Sequence, residues 1–349
     1  MRLKKCKCYG FRGGNFGPMP KGRMILLICG LIVAFFMLAV DTPLERCSFA
    51  GTSVKKFRYG EVDRDLYDIQ FIGPNHGWMA GKGGWILRTE DGGKTWSKHD
   101  SGTTAGIFRF SFIDRRTGWA VGQWGEILAT TDGGQTWTHQ ESPTKEHFFG
   151  VDFTDKLHGV AAGDWGKIVL TEDGGQNWID VSLEEDIILY DVEFVDRNEG
   201  WIMSEMGYMF HTVDGGRTWE RQDVGRGKTF FGVSFDANGN GVAVGMEGVA
   251  AYTSDRGKTW KITRAAEPSL FSVILVNGRG VAVGDSAAVY ETTDGGESWQ
   301  TIDPPIYLRQ NWLQCVERLS GDPDRYIIAG VRGSVLFIEH SEIVLSDRR

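Results

Sequence analysis

The chain has 349 residues, 41% hydrophobic, 24% charged and 12% aromatic, the composition of an ordinary folded protein with enough apolar side chains for a large core. Formal net charge is −8, but residues 1–40 hold seven basic and no acidic residues, which leaves −15 on the remainder. A surface of that sign repels phosphate backbones, so no nucleic-acid partner is expected.

In chain order, residues 1–23 form a basic leader carrying Arg2, Lys4, Lys5, Lys7, Arg12, Lys21 and Arg23. Residues 24–40 are uncharged and apolar, at the short end of what spans a bilayer, and the basic flank predicts a cytoplasmic amino terminus. The expectation is an uncleaved transmembrane signal-anchor with the rest of the chain exported. A cleaved signal peptide is the alternative, but residues 38–41 (Leu-Ala-Val-Asp) offer no clean small-x-small cleavage site. Residues 41–53 read as a linker. Of five cysteines only Cys47 and Cys315 would reach an oxidising compartment, and their pairing stays open. No Cys or His spacing suggests a metal, and no cofactor is expected.

From residue 54 the chain repeats. The phrase Thr-Glu-Asp-Gly-Gly-Lys-Thr-Trp at 89–96 returns at 130–137, 171–178, 212–219, 253–260 and 292–299, with its Asp at 91, 132, 173, 214, 255 and 294. The steps are 41, 41, 41, 41 and 39 residues, a period that predicts a toroidal array of small sheets. Each repeat begins with an alternating apolar run (66–71, 107–112, 148–153, 189–194, 230–235, 270–275), in which Tyr67, Ile69 and Phe71 share one face at the period of a strand. A short second strand follows, such as Gly-Trp-Ala-Val-Gly at 118–122, then a tight turn and a third strand; the repeated phrase leads into a fourth. Four antiparallel strands per period make a propeller blade.

A seventh unit at 312–316, 326–330 and 333–337 lacks the phrase and a fourth strand. In other repeats the first strand's aromatic lies 12 residues after the phrase's Trp, and counting back 12 from Tyr67 lands on Lys55. Residues 54–59 are therefore predicted to supply the missing outer strand and close the ring, leaving no open edge. The predicted architecture is all-β, a seven-bladed propeller over 54–341 with a tail at 342–349.

Within the phrase, each fixed residue has a local task. The carboxylates of Asp91, Asp132, Asp173, Asp214, Asp255 and Asp294 are expected to accept buried turn amides, and the glycines allow left-handed turns. Trp96, Trp137, Trp178, Trp219, Trp260 and Trp299 are expected to fill the gaps between blades. Six such turns placed one per blade point apart, so they are not read as a calcium or catalytic set.

This phrase is the Asp-box, or bacterial neuraminidase repeat. The longer pattern Gly-Trp-x-Ala-Gly-x-x-Gly-x-Ile-Leu-x-Thr-x-Asp-Gly-Gly-x-Thr-Trp, at 77–96 and 118–137, resembles the photosystem II stability/assembly factor family of seven-bladed propellers. The resemblance implies a non-enzymatic factor that holds a membrane-protein subunit during assembly, on the periplasmic or thylakoid-lumen side of the membrane.

Strand order divides the two faces. Asp-boxes share one with the first-to-second turns, while second-to-third turns and blade connections share the other. That second face is the expected partner-binding surface, with Lys82, Trp124, Trp165, Met206, Glu247 and Arg332 as candidates. Trp124 and Trp165 stand where other repeats have Gly83, Met206, Glu247 and Ser286; either they are exposed for binding or each folds over its neighbouring blade as a lid. The function expected is a membrane-tethered scaffold for a membrane-protein complex. The alternative is a sialidase-like glycoside hydrolase, whose carboxylate candidates would include Asp68 and Asp191.

Overall fold

The computed structural model describes residues 48–49, 52–58, 64–303, 311–319 and 325–340. The leader, the 24–40 segment, Cys47 and the tail lie outside them. Seven antiparallel sheets follow one another along the chain. Their first strands are Leu66–Ile72, Ile107–Phe112, Phe148–Phe153, Leu189–Phe194, Phe230–Phe235, Leu270–Val276 and Leu313–Arg318, and they open blades I to VII in that order. Each first strand touches that of the next blade, and blade VII returns to blade I, so the seven line a central axis.

Blades I to VI have four strands each, joined in sequence order. Blade VII is closed from the other end of the chain: Thr52–Arg58 pairs antiparallel with Ser334–His340 over seven residues, from Thr52 opposite His340 to Arg58 opposite Ser334. The N-terminal strand thus completes the last blade, two residues earlier than its predicted start. A fifth strand, Ser48–Phe49, continues the sheet inside the stretch read as linker.

The core lies between blades. One cluster joins Ile69, Phe71, Met79 and Leu87 of blade I to Ile327, Ala329 and Phe337 of blade VII, with Trp96 packed among them. Trp178 fills the corresponding gap between blades II and III. Trp96 and Trp178 are buried and the other four box indoles half-buried. Two second-strand tryptophans add polar ties between blades: the Trp78 indole N–H of blade I donates to Gly133 O of blade II at 2.8 Å, and that of Trp119 in blade II to Gly174 O of blade III at 3.1 Å.

The Asp-box geometry is the same six times. In blade II, Asp132 Oδ1 accepts the Thr136 amide at 3.0 Å and Oδ2 the Thr136 hydroxyl at 2.7 Å, while the Thr130 hydroxyl donates to Oδ1 and accepts the Gly134 amide. Burial alone would raise this carboxyl, but the Thr136 and Thr130 bonds outweigh it and hold Asp132 at about 2. The acceptors are not buried as the sequence suggested: five of the six carboxylates are half-buried and Asp294 is exposed. Asp132→Ala is accordingly expected to cost only about 1 kcal/mol, near the lower end for a lost acceptor, read as a small shift in urea midpoint.

Candidate partner-docking face

The first-strand alternation contains a feature that a simple period of two misses. Leu66 opposes Gly81, but Asp68 opposes Ala80, so Tyr67 is a bulged residue; every first strand repeats this shift. Tyr67 therefore does not share a face with Ile69 and Phe71, which go to the inter-blade core. It stands with the corresponding aromatics of the next blades. Ring centroids run Tyr67 to Phe108 at 5.3 Å, Phe108 to Phe149 at 5.4 Å, Phe149 to Tyr190 at 6.4 Å, Tyr190 to Phe231 at 4.9 Å and Phe231 to Phe271 at 5.8 Å. Gln314 is the seventh member, and all seven side chains are half-buried. This aromatic collar sits at the end of the first strands that adjoins the second-to-third turns.

Below the collar the axis is polar. Arg109 reaches Asp68 at 3.5 Å and also pairs with Asp191, two blades away, where the intervening first strand has Gly150. These side chains also bind neighbouring blades: Asp68 accepts the Phe110 amide at 2.7 Å, Asp152 that of Phe194 at 2.8 Å, Asp191 that of Val233 at 3.2 Å and Glu193 that of Phe235 at 2.9 Å. The inward edge amides of adjacent blades thus find acceptors inside the channel. Burial raises Asp68 to about 6 against the opposing pull of Arg109, and burial followed by Asp191 raises Asp152 to about 6. Burial and then Asp68 push Glu317 to about 8.

These directions set the pH profile. Channel carboxyls with raised values contribute stability that is fully present below their ordinary values and is lost as pH climbs through the folded ones, a window of 4.5 to about 8 for Glu317. Asp91 and Asp132, held at about 2 chiefly by threonine bonds that outweigh burial, act oppositely and lose their contribution as pH falls from 3.8 towards that value. The melting temperature is expected to peak near pH 4 to 5 and decline towards pH 8, with Glu317→Gln flattening the decline. A midpoint that rises from pH 5 to 8 would contradict this assignment.

The second-to-third turns all place their middle residue in the left-handed region. Trp124 has φ 60°, Trp165 58°, Met206 62°, Glu247 55°, Ser286 57° and Arg332 53°, with Gly83 at 73°. Left-handed backbone is costly for a bulky residue, yet two indoles occupy it. Both are exposed, Trp124 at 61% and Trp165 at 43%, as is Met206 at 56%. Neither indole closes over a neighbouring blade as a buried lid. Lys82, Glu247 and Arg332 are exposed as well. Six of the seven second strands end on a glycine, blade IV having Ser204 instead, and the approach there is close: a Cβ on Gly163 would stand 1.8 Å from the His147 carbonyl oxygen, which accepts the Asp164 amide. His147 also accepts the Trp124 amide on its Nδ1 at 2.9 Å and packs edge-on against Phe108 and Phe149. One residue thus links the Trp124 turn, the Asp164–Trp165 turn and the collar.

The Asp-boxes lie at the other end of the sheets: Thr89 opposes Gly77, whereas Trp85 opposes Gly81, and the Gly92 amide donates to Asn75 O in the first-to-second turn. The predicted division of faces holds. Sequence reasoning missed the collar; it placed the loop of residues 141–147 on this face but not the bridging role of His147. The signal for the collar was present, an aromatic at the second position of six successive first strands, but a strict period of two assigns it to the core. Cys315 is a free, buried thiol. Among the described residues no cluster of His, Cys, Asp and Glu could hold a metal, and no helix is long and apolar enough to cross a membrane.

Fold and face together define a seven-bladed Asp-box propeller with its carboxylate-stapled turns on one side and exposed left-handed indoles on the other. The sequence model of the family described as photosynthesis system II assembly factor YCF48 matches residues 55–143 and 137–226, and over that stretch the chain is similar to the family. No curated protein sequence matches it. Among solved structures, "YCF48 bound to D1 peptide" is 19% identical with a TM-score of 0.68, over 87% of this chain and 100% of that one. YCF48 from Cyanidioschyzon merolae is 20% identical with a TM-score of 0.67, over 83% and 99%. The GH74 xyloglucanase from Xanthomonas campestris, 12% identical, aligns with a TM-score of 0.68 over 84% of this chain and 54% of that one. Identities this low show the fold alone.

Proposed function

We propose that the chain is a non-enzymatic docking protein, tethered to a membrane by residues 24–40, whose turn face holds a segment of a membrane-protein subunit while a complex is assembled. The propeller then stands on the periplasmic or thylakoid-lumen side. The observation that carries this reading is the pair of exposed indoles in left-handed turns, where they serve no strand packing and cost backbone strain. The family match and the D1 peptide named with one YCF48 structure support it. Catalysis by Asp68 and Asp191 is disfavoured because Arg109 ion-pairs with both and each accepts a main-chain amide of the next blade. Converting Trp124 and Trp165 together to Ala is expected to abolish co-purification of the membrane partner without changing the melting temperature. Unchanged co-purification would sink the docking role, and turnover of a glycoside panel would favour the hydrolase alternative.

A further inference from the structure

On the same face, Asp164 is left without a partner. The residue is only 5% exposed, and no donor or cation among the described residues is in hydrogen-bond or ion-pair contact with its carboxylate. Its nearest charged influence is another acid, Glu146; burial first and then that neighbour raise Asp164 to about 6. A carboxylate in a largely buried residue with no donor from its own chain is costly to keep charged, and its oxygens stay within reach of a ligand that brings donors. Lys167 pairs outward with Asp180 at 3.1 Å, and Lys145 makes no ion pair among the described residues. In the next turn Glu205 is also raised by burial and then by Asp186, but it accepts the Ile188 amide at 3.3 Å and so differs from Asp164.

Asp164 precedes Trp165 in the chain, and His147, which follows Glu146, joins both to the Trp124 turn. An acidic pair is therefore set beside two exposed indoles. We propose that Asp164 and Glu146 receive a Lys or Arg side chain of the docked segment, whose apolar neighbours pack on Trp124 and Trp165. The inference rests on the docking reading and adds the chemistry of the partner: a basic, apolar-flanked segment, complementary to the Asp164–Glu146 pair and the two indoles beside it. A guanidinium or ammonium supplies the missing donors, and the indole faces suit both its stem and its charge.

The probes are fluorescent octapeptides, blocked at both ends, with a central Leu-Phe flanked by Arg, Gln or Glu, titrated against the full-length chain at low and high salt. The Arg peptide is expected to bind at least about tenfold more tightly than the Gln peptide at low salt, an advantage that shrinks as salt is raised. Asp164→Asn removes the advantage. Glu146→Lys, in a half-buried loop position, is a second arm that shifts preference towards the Glu peptide. Equal binding of all three peptides, binding of none, or an Arg preference untouched by both variants overturns the pairing. If those results came with loss of the membrane partner on joint Trp124→Ala and Trp165→Ala replacement, docking would stand and only the basic partner would fall. If partner capture also survived the Trp replacements, docking itself would fall.

Discussion

Removing residues 1–58 is expected to unfold or aggregate the propeller, whereas removing residues 1–45 should leave its melting temperature unchanged. Thr52–Arg58 supplies the strand outside Ser334–His340, paired along its whole length. Without it blade VII exposes an unpaired edge, and seven residues of ladder at about 0.5 to 1.5 kcal/mol per hydrogen bond put the loss on the order of 4 to 10 kcal/mol. That is comparable to the whole stability of an ordinary domain. Thermal unfolding and size-exclusion chromatography of the two truncations distinguish the cases; a folded, monomeric product without residues 1–58 would mean that the ring does not need this closure.

Arg109→Ala should be the most damaging single change in the channel. Its guanidinium is the cation that pairs with Asp68 and Asp191, whose side chains are about 5% and 7% exposed. Taking it away leaves two buried carboxylates uncompensated, an effect of about 3 to 5 kcal/mol. The loss carries a pH signature. Asp68 already titrates near 6 because burial outweighs Arg109, so protonation at pH 5 relieves part of the repulsion. The deficit measured by urea unfolding is expected to be larger at pH 8 than at pH 5. Adding Asp68→Asn and Asp191→Asn to Arg109→Ala should recover most of it, since the amide oxygens can still accept the Phe110 and Val233 amides. A deficit independent of pH would place the role of Arg109 in packing instead.

The ring was legible in the sequence because the Asp-box is a local device: Thr130, Asp132, Gly134 and Thr136 bond to one another within seven residues, so their spacing alone encodes the turn. Closure was legible by extrapolating the same period backwards to Lys55, which indeed opposes Phe337. The channel was not legible. Arg109 meets Asp191 only because the bulge at each first strand re-aims two residues and Gly150 leaves space between them, and neither fact has a signature within one repeat. The face was half legible. Trp124 and Trp165 stood out as bulky residues in a turn, but nothing within one repeat signals that Asp164 is largely buried without a donor.

Photo-crosslinking in intact membranes tests the division of faces most directly, with the photoreactive residue placed once at Trp124 and once at Lys94, an exposed position in the first Asp-box at the opposite end of the blades. The prediction is a discrete adduct with a membrane protein from position 124 and none from position 94. An adduct from position 94 alone would put the docking surface on the stapled side and contradict the roles assigned here to both faces.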